Sequence, residues 1–113
     1  MTSVAVASQL TAPESREALS SALRALGDPT RLQVLLLLSE GECCVCELVD
    51  ALGLSQPLLS HHLRVLREQG FVSDRKSGRW SYYRLTREAF EELSALMRAL
   101  ARSRDRKRAS DCR

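Results

Sequence analysis

The chain predicts a mainly α fold with a β-hairpin wing, and three observations support that fold class. Apolar residues recur at helical spacing over most of residues 14–101. Near Ser77-Gly78 that spacing gives way to two short β-compatible runs. Before those runs come a short helical segment, the break Gly53-Leu54-Ser55 and a second, longer helix. With 113 residues there is room for one domain and one modest core. So small a core leaves apolar helix faces without an intrachain partner, so a homodimer is expected.

Residues 1–13 are small and polar and end on Pro13, which predicts a flexible N-terminal arm. The first helix, over 14–26, carries Ala18, Leu19, Ala22, Leu23 and Leu26 on one face. Asp28 followed by Pro29 signals the cap and first turn of a second helix, which runs through Leu32, Leu35, Leu36 and Leu38 and stops near Gly41. A short helix from about Cys44 to Leu52 turns Leu48 and Leu52 inward.

In GLSQPLLSHHLRVLREQG, Gly53 supplies a tight break and Ser55 an N-cap. Pro57 is tolerated in the first turn because its missing N–H had no helical partner to lose. Leu59, Leu63 and Leu66 then share the inner face, and Gln56, Ser60, His61 and Arg64 lie largely on the outer one, until Gly70 ends the helix. FVSDRK and RWSYYRL form the hairpin around Ser77-Gly78. Two strands alone are marginal in water, so the hairpin must lean on the helices. The last helix, 87–101, has a broad stripe of Phe90, Leu93, Leu96, Met97 and Leu100, and with the first helix it is available to pair across a two-fold axis. Residues 102–113 read as a solvated basic tail. The order helix, helix, helix, turn, helix, hairpin, helix describes a dimeric winged helix-turn-helix spanning residues 14–101.

The formal charge of +3 is segregated along the chain. Residues 1–50 carry three basic and seven acidic side chains, whereas residues 53–84 carry six and two. A helix of this kind enters the DNA major groove, which makes Gln56, Ser60, His61 and Arg64 candidates for base and phosphate contact. Arg75, Lys76 and Arg79 in or beside the hairpin are candidates for phosphate contact, which is salt-dependent and only weakly sequence-specific. Double-stranded DNA is the expected partner.

Three of the four cysteines, Cys43, Cys44 and Cys46, fall within four positions, and Cys112 lies beside the last residue. No charged leader with an apolar segment precedes them and no apolar run is long enough for a membrane span, so a cytoplasmic chain without membrane contact is expected. There, clustered thiols serve metal, metalloid or redox chemistry more often than structural disulfides. A trivalent arsenic or antimony centre carries a lone pair and favours three thiolates in a pyramid, which Cys43, Cys44 and Cys46 can supply. Zinc or cadmium seeks a fourth donor, and neither a histidine nor a carboxylate stands poised to give one. In a regular helix Cys44 and Cys46 point about 200° apart, so one ion reaches all three sulfurs only if the helix unwinds or begins after them. Binding is then expected to move or fray the helix that supports the recognition helix. Packing as small hydrophobes is the alternative reading of the cluster.

The run DPTRLQVLLLLSEGECCVCELVDALGLSQPLLSHHLRVLREQGFVSDRKSGRWSYYRL resembles the ArsR/SmtB family of metal- and metalloid-sensing repressors, over about residues 15–101. The resemblance implies a homodimeric winged helix-turn-helix repressor whose first and last helices form the interface. It also implies palindromic operators and release of DNA when an effector binds. GECCVCEL is similar to the ELCVCDL signature of the arsenite and antimonite repressors, with Cys44 and Cys46 matching the paired cysteines. Those repressors use a third cysteine one turn later, where this chain has Val49, which leaves Cys43 as the favoured third ligand and Cys112 as the next. As(III) or Sb(III) is the effector this implies; cadmium, lead or zinc, and thiol redox or persulfide chemistry, are the alternatives within the same fold. A small thiol oxidoreductase would need a strand-loop-helix context that the cysteines lack, and no phosphate loop, carboxylate pair or nucleophile triad is present. A non-enzymatic regulator with no catalytic residues is expected.

Overall fold

The computed structural model describes residues 13–102. The expected arm before Pro13 and all but the first residue of the expected tail, including Cys112, lie outside the described residues. Helix α1 is Pro13–Leu26, α2 Pro29–Leu38, strand β1 Cys43–Cys44, α3 Val45–Leu52, α4 Gln56–Glu68, β2 Val72–Ser77, β3 Trp80–Leu85 and α5 Arg87–Ala101.

Local chemistry fixes most of these boundaries. Asp28 is extended and its carboxylate accepts from the Arg31 N–H at 3.0 Å, capping α2 with Pro29 in the first turn. Helix α2 ends at Leu38, short of Gly41, because Ser39, Glu40 and Gly41 turn their N–H groups back onto the carbonyls of Leu35, Leu37 and Leu38. Gly53 closes α3 in the left-handed region at φ 65°, donating to Val49 O at 2.9 Å, a conformation that strains residues bearing a Cβ. Ser55 then caps α4 by accepting from the Leu58 N–H. Three residues between α3 and α4 thus make the turn of the helix-turn-helix.

The hairpin pairs Val72 with Leu85 through to Ser77 with Trp80, so the loop is Gly78-Arg79, one residue later than the sequence suggests. Gly78 takes the left-handed loop position at φ 63°, which suits a two-residue connection. Trp80, 46% exposed, opens β3 at this tip with the Arg79 guanidinium 5.3 Å from its ring centroid.

A third strand, unexpected from sequence, completes the sheet. β1 pairs antiparallel with β3, Cys43 opposite Tyr83 and Cys44 opposite Tyr82, giving the order β1-β3-β2. The core lies between the helices and this sheet: Val34, Leu35 and Leu38 of α2, Leu48 of α3, Leu59, Leu63 and Leu66 of α4, then Phe71, Val72 and Tyr83. Burying each leucine side chain contributes about 1.5–3 kcal/mol, so the inner face of α4 anchors the element whose outer face is free. Phe71 meets Phe90 at 5.1 Å between centroids and draws α5 onto the hairpin base. Among the described residues no helix is long and apolar enough to cross a membrane.

Candidate nucleic-acid interface and thiol site

Gln56, Ser60, His61 and Arg64 all stand exposed on α4, opposite Leu59, Leu63 and Leu66. His61 Nδ1 lies 3.5 Å from Arg64 Nη2, one turn away on that face. His62 turns inward; it is 8% exposed and lies 3.1 Å from Arg31 Nη1. Burial holds its imidazole below the ordinary range, opposed by the Asp28 carboxylate and reinforced by Arg31 and His61. The Arg31 Nε also donates to Ala25 O at 2.7 Å, so one guanidinium joins α1, α2 and α4. Sequence reasoning missed this network, although the neighbouring histidines of a helix that needs one inward residue hint at it.

The hairpin cations differ in their engagements. Lys76 donates to Ser81 Oγ at 3.2 Å and Arg79 covers Trp80, both at exposed positions. Arg75 instead makes a two-pronged pair with Glu42, Nε to Oε2 at 2.9 Å and Nη2 to Oε1 at 2.7 Å, and its guanidinium also sits 4.7 Å over the Tyr82 ring. The Arg75 bond holds the Glu42 carboxyl below the usual carboxylate range, and Glu42 in turn raises Arg75. Arg75 is therefore charge-compensated, which its place among the hairpin cations did not suggest. Arg67 of α4 pairs with Asp74 of β2 at 3.6 Å, and Arg84 donates to Ser73 Oγ.

The cysteines sit where β1 runs into α3. Cys44 is the extended N-cap of α3, and its N–H donates to the Glu47 carboxylate at 2.8 Å. The helix begins after Cys44, so the side chains of Cys44 and Cys46 meet, their Cα atoms 5.3 Å apart, and are joined as a disulfide where the sequence predicts free thiols. Cys44 is buried and Cys46 exposed. Cys43 stays a separate thiol, donating to Gly41 O at 3.6 Å, and burial with the Glu47 and Glu40 charges pushes its pKa up. Among the described residues no three His, Cys, Asp or Glu side chains converge to hold a metal. The structure thus brings Cys44 and Cys46 together and leaves Cys43 apart, because successive strand residues point to opposite faces.

Residues 28–74 match the model of the arsR family of bacterial regulatory proteins. The chain is 41% identical over 85 residues to an uncharacterised helix-turn-helix transcriptional regulator of Methanocaldococcus jannaschii, covering 74% of this chain and 96% of that protein. It is 58% identical over 62 residues to the arsenical resistance operon repressor of Escherichia coli K12, covering 54% of this chain and 53% of the repressor, so it spans about half of that relative's length. The crystal structure of an ArsR family transcriptional regulator matches with TM-score 0.70 at 31% identity, over 80% of this chain and 96% of that one. The solution structure of a homodimeric winged helix-turn-helix DNA-binding domain from Mycobacterium bovis matches with TM-score 0.63 at 31% identity, over 75% and 79% of the two chains. The helix-turn-helix at Val45–Glu68, the hairpin beside it and these likenesses agree, and the chain belongs to the arsR family of bacterial transcriptional regulators.

Proposed function

We propose that this regulator is a metalloid-responsive repressor that binds operator DNA as a homodimer through residues 14–101 and lets go when cysteine thiolates capture As(III) or Sb(III). The observation that carries the reading is the meeting of Cys44 and Cys46 at the head of α3, the helix directly preceding α4 in the helix-turn-helix. Reduced, that pair offers two thiolates to one soft ion, with Cys43 as third ligand and Cys112 as the next candidate. The outer face of α4, with Gln56, Ser60, His61 and Arg64, enters the major groove, and Arg75, Lys76 and Arg79 attend the phosphates. Exposed Leu23 of α1 and Met97 and Leu100 of α5 supply the apolar surface for a second copy. The chemistry is ligation and release, with no turnover.

The test is fluorescence anisotropy of the reduced protein on its own upstream DNA, titrated with arsenite, antimonite, cadmium and zinc. Release by the trivalent ions, abolished in Cys44→Ser and Cys46→Ser, is the expected result. Release by cadmium or zinc alone, or none by any ion, would overturn the metalloid assignment and leave the DNA-binding reading in place.

A further inference from the structure

While β1 is paired with β3, the three clustered sulfurs do not converge on one point. Cys43 and Cys44 are successive residues of that strand, held opposite Tyr83 and Tyr82, so their side chains leave by opposite faces. Cys44 turns to Cys46, whereas Cys43 borders an open groove of about 400 Å³ with Glu40, Glu42 and Glu47, which neither Cys44 nor Cys46 lines. Bringing Cys43 to the other two requires rotating its peptide out of the strand geometry, and the partner lost is the wing strand β3.

We infer that capture of one trivalent ion by Cys43, Cys44 and Cys46 peels β1 from β3, and that the wing is the element through which the thiol site is read. The inference rests on the metalloid reading and adds to it the part that moves. Glu42, next to Cys43, is gripped by Arg75 of β2, so displacement of β1 pulls on both strands of the hairpin. The sequence points to movement or fraying of α3; because α3 already starts beyond Cys44, the ladder is the contact that has to give.

The chemistry balances without a change of oxidation state at arsenic. A dithiol reductant first opens the Cys44–Cys46 disulfide, supplying two electrons and two protons and ending as a cyclic disulfide. Arsenous acid then exchanges three As–O bonds for three As–S bonds, and the three thiol protons leave with its hydroxides as water. The Cys44–Cys46 disulfide itself coexists with the intact β1–β3 ladder, so oxidation of that pair alone leaves the wing in place. The ladder thus separates a three-coordinate ion from a mere oxidant.

Hydrogen exchange read by mass spectrometry on the reduced full-length chain tests this, with near-ultraviolet arsenic–thiolate absorbance reporting ion uptake. Arsenite is expected to speed exchange about tenfold or more in peptides covering residues 42–46 and 80–85. That change should vanish in Cys43→Ser, or in Cys43→Ala if the first variant folds poorly, and persist in Cys112→Ser. Hydrogen peroxide, closing the disulfide and becoming water, should leave the same peptides protected. Uptake without loosening, loosening that survives loss of Cys43, or loosening by peroxide would each overturn the inference. Absence of arsenite uptake would overturn the metalloid reading and this inference together. Loosening without any loss of DNA affinity would refute the metalloid-release reading and, with it, the wing's part in reading the site.

Discussion

Arg31 donates from Nη1 to His62 Nδ1 across 3.1 Å, tying the head of α2 to the buried face of α4. Arginine has no acceptor, so Nδ1 must carry the lone pair and the ring proton must sit on Nε2. His62 is therefore neutral in the folded chain, and charging it would break the bond and set two cations side by side.

The pH dependence of stability follows from that bond. Because burial depresses the folded His62 pKa below the unfolded value near 6.5, the unfolded chain binds more protons between those two values. The stabilisation is complete above 6.5 and is lost as pH falls through the folded pKa. Asp28, held below 3.8 chiefly by the Arg31 N–H, gives up its share only in a more acidic window. Calorimetry should show the Tm falling from pH 7.5 to pH 5, with His62→Gln flattening that slope; a wild-type Tm indifferent to this interval would contradict the assignment.

Arg31→Ala should cost about 1–3 kcal/mol in urea unfolding, since it strands Ala25 O and His62 Nδ1 at partly buried positions. Arg31→Lys should recover only part of this, because an ammonium lacks the planar fork that reaches both acceptors.

Glu42→Gln removes the carboxylate that compensates Arg75. If that hairpin edge lies along the phosphates, the variant should bind DNA more tightly at low salt, with a log–log salt slope steeper by up to about 0.9. Anisotropy at three or four salt concentrations measures it, and an unchanged slope would remove Arg75 from the DNA contact.

Leu100 is 60% exposed on α5 and Leu23 is 39% exposed on α1. Placing Glu at both should yield a folded monomer by sedimentation velocity, with DNA affinity reduced by two orders of magnitude or about 3 kcal/mol. A dimer that survives the double change would move the interface elsewhere, with exposed Leu32 and Leu36 of α2 the next surface to alter.

Most of the fold is legible because its signals are local. Asp28-Pro29, Gly53, Ser55 and the Leu59, Leu63, Leu66 spacing each act within one or two helical turns, and the helices begin within a residue of where those signals place them. β1 is illegible for the opposite reason: two residues have no period, and they become a strand only because Tyr82 and Tyr83 lie alongside. The Glu42–Arg75 and Arg31–His62 contacts span 33 and 31 residues and leave no trace in any short window. The proximity of Cys44 and Cys46 is half legible, since their spacing is plain while their meeting depends on Cys44 being an extended cap.

The chain has a single tryptophan, and it stands at the tip of the hairpin with Arg79 against its ring. Its intrinsic emission is therefore a local optical probe of the hairpin, needing no attached dye and no correction for a second indole. Solvent relaxation around Trp80, quenching by iodide drawn to Arg79 and any spectral shift on adding DNA all report that one spot. An instrument able to excite at the red edge of tyrosine absorption can follow the hairpin in real time while ions and DNA are added in either order.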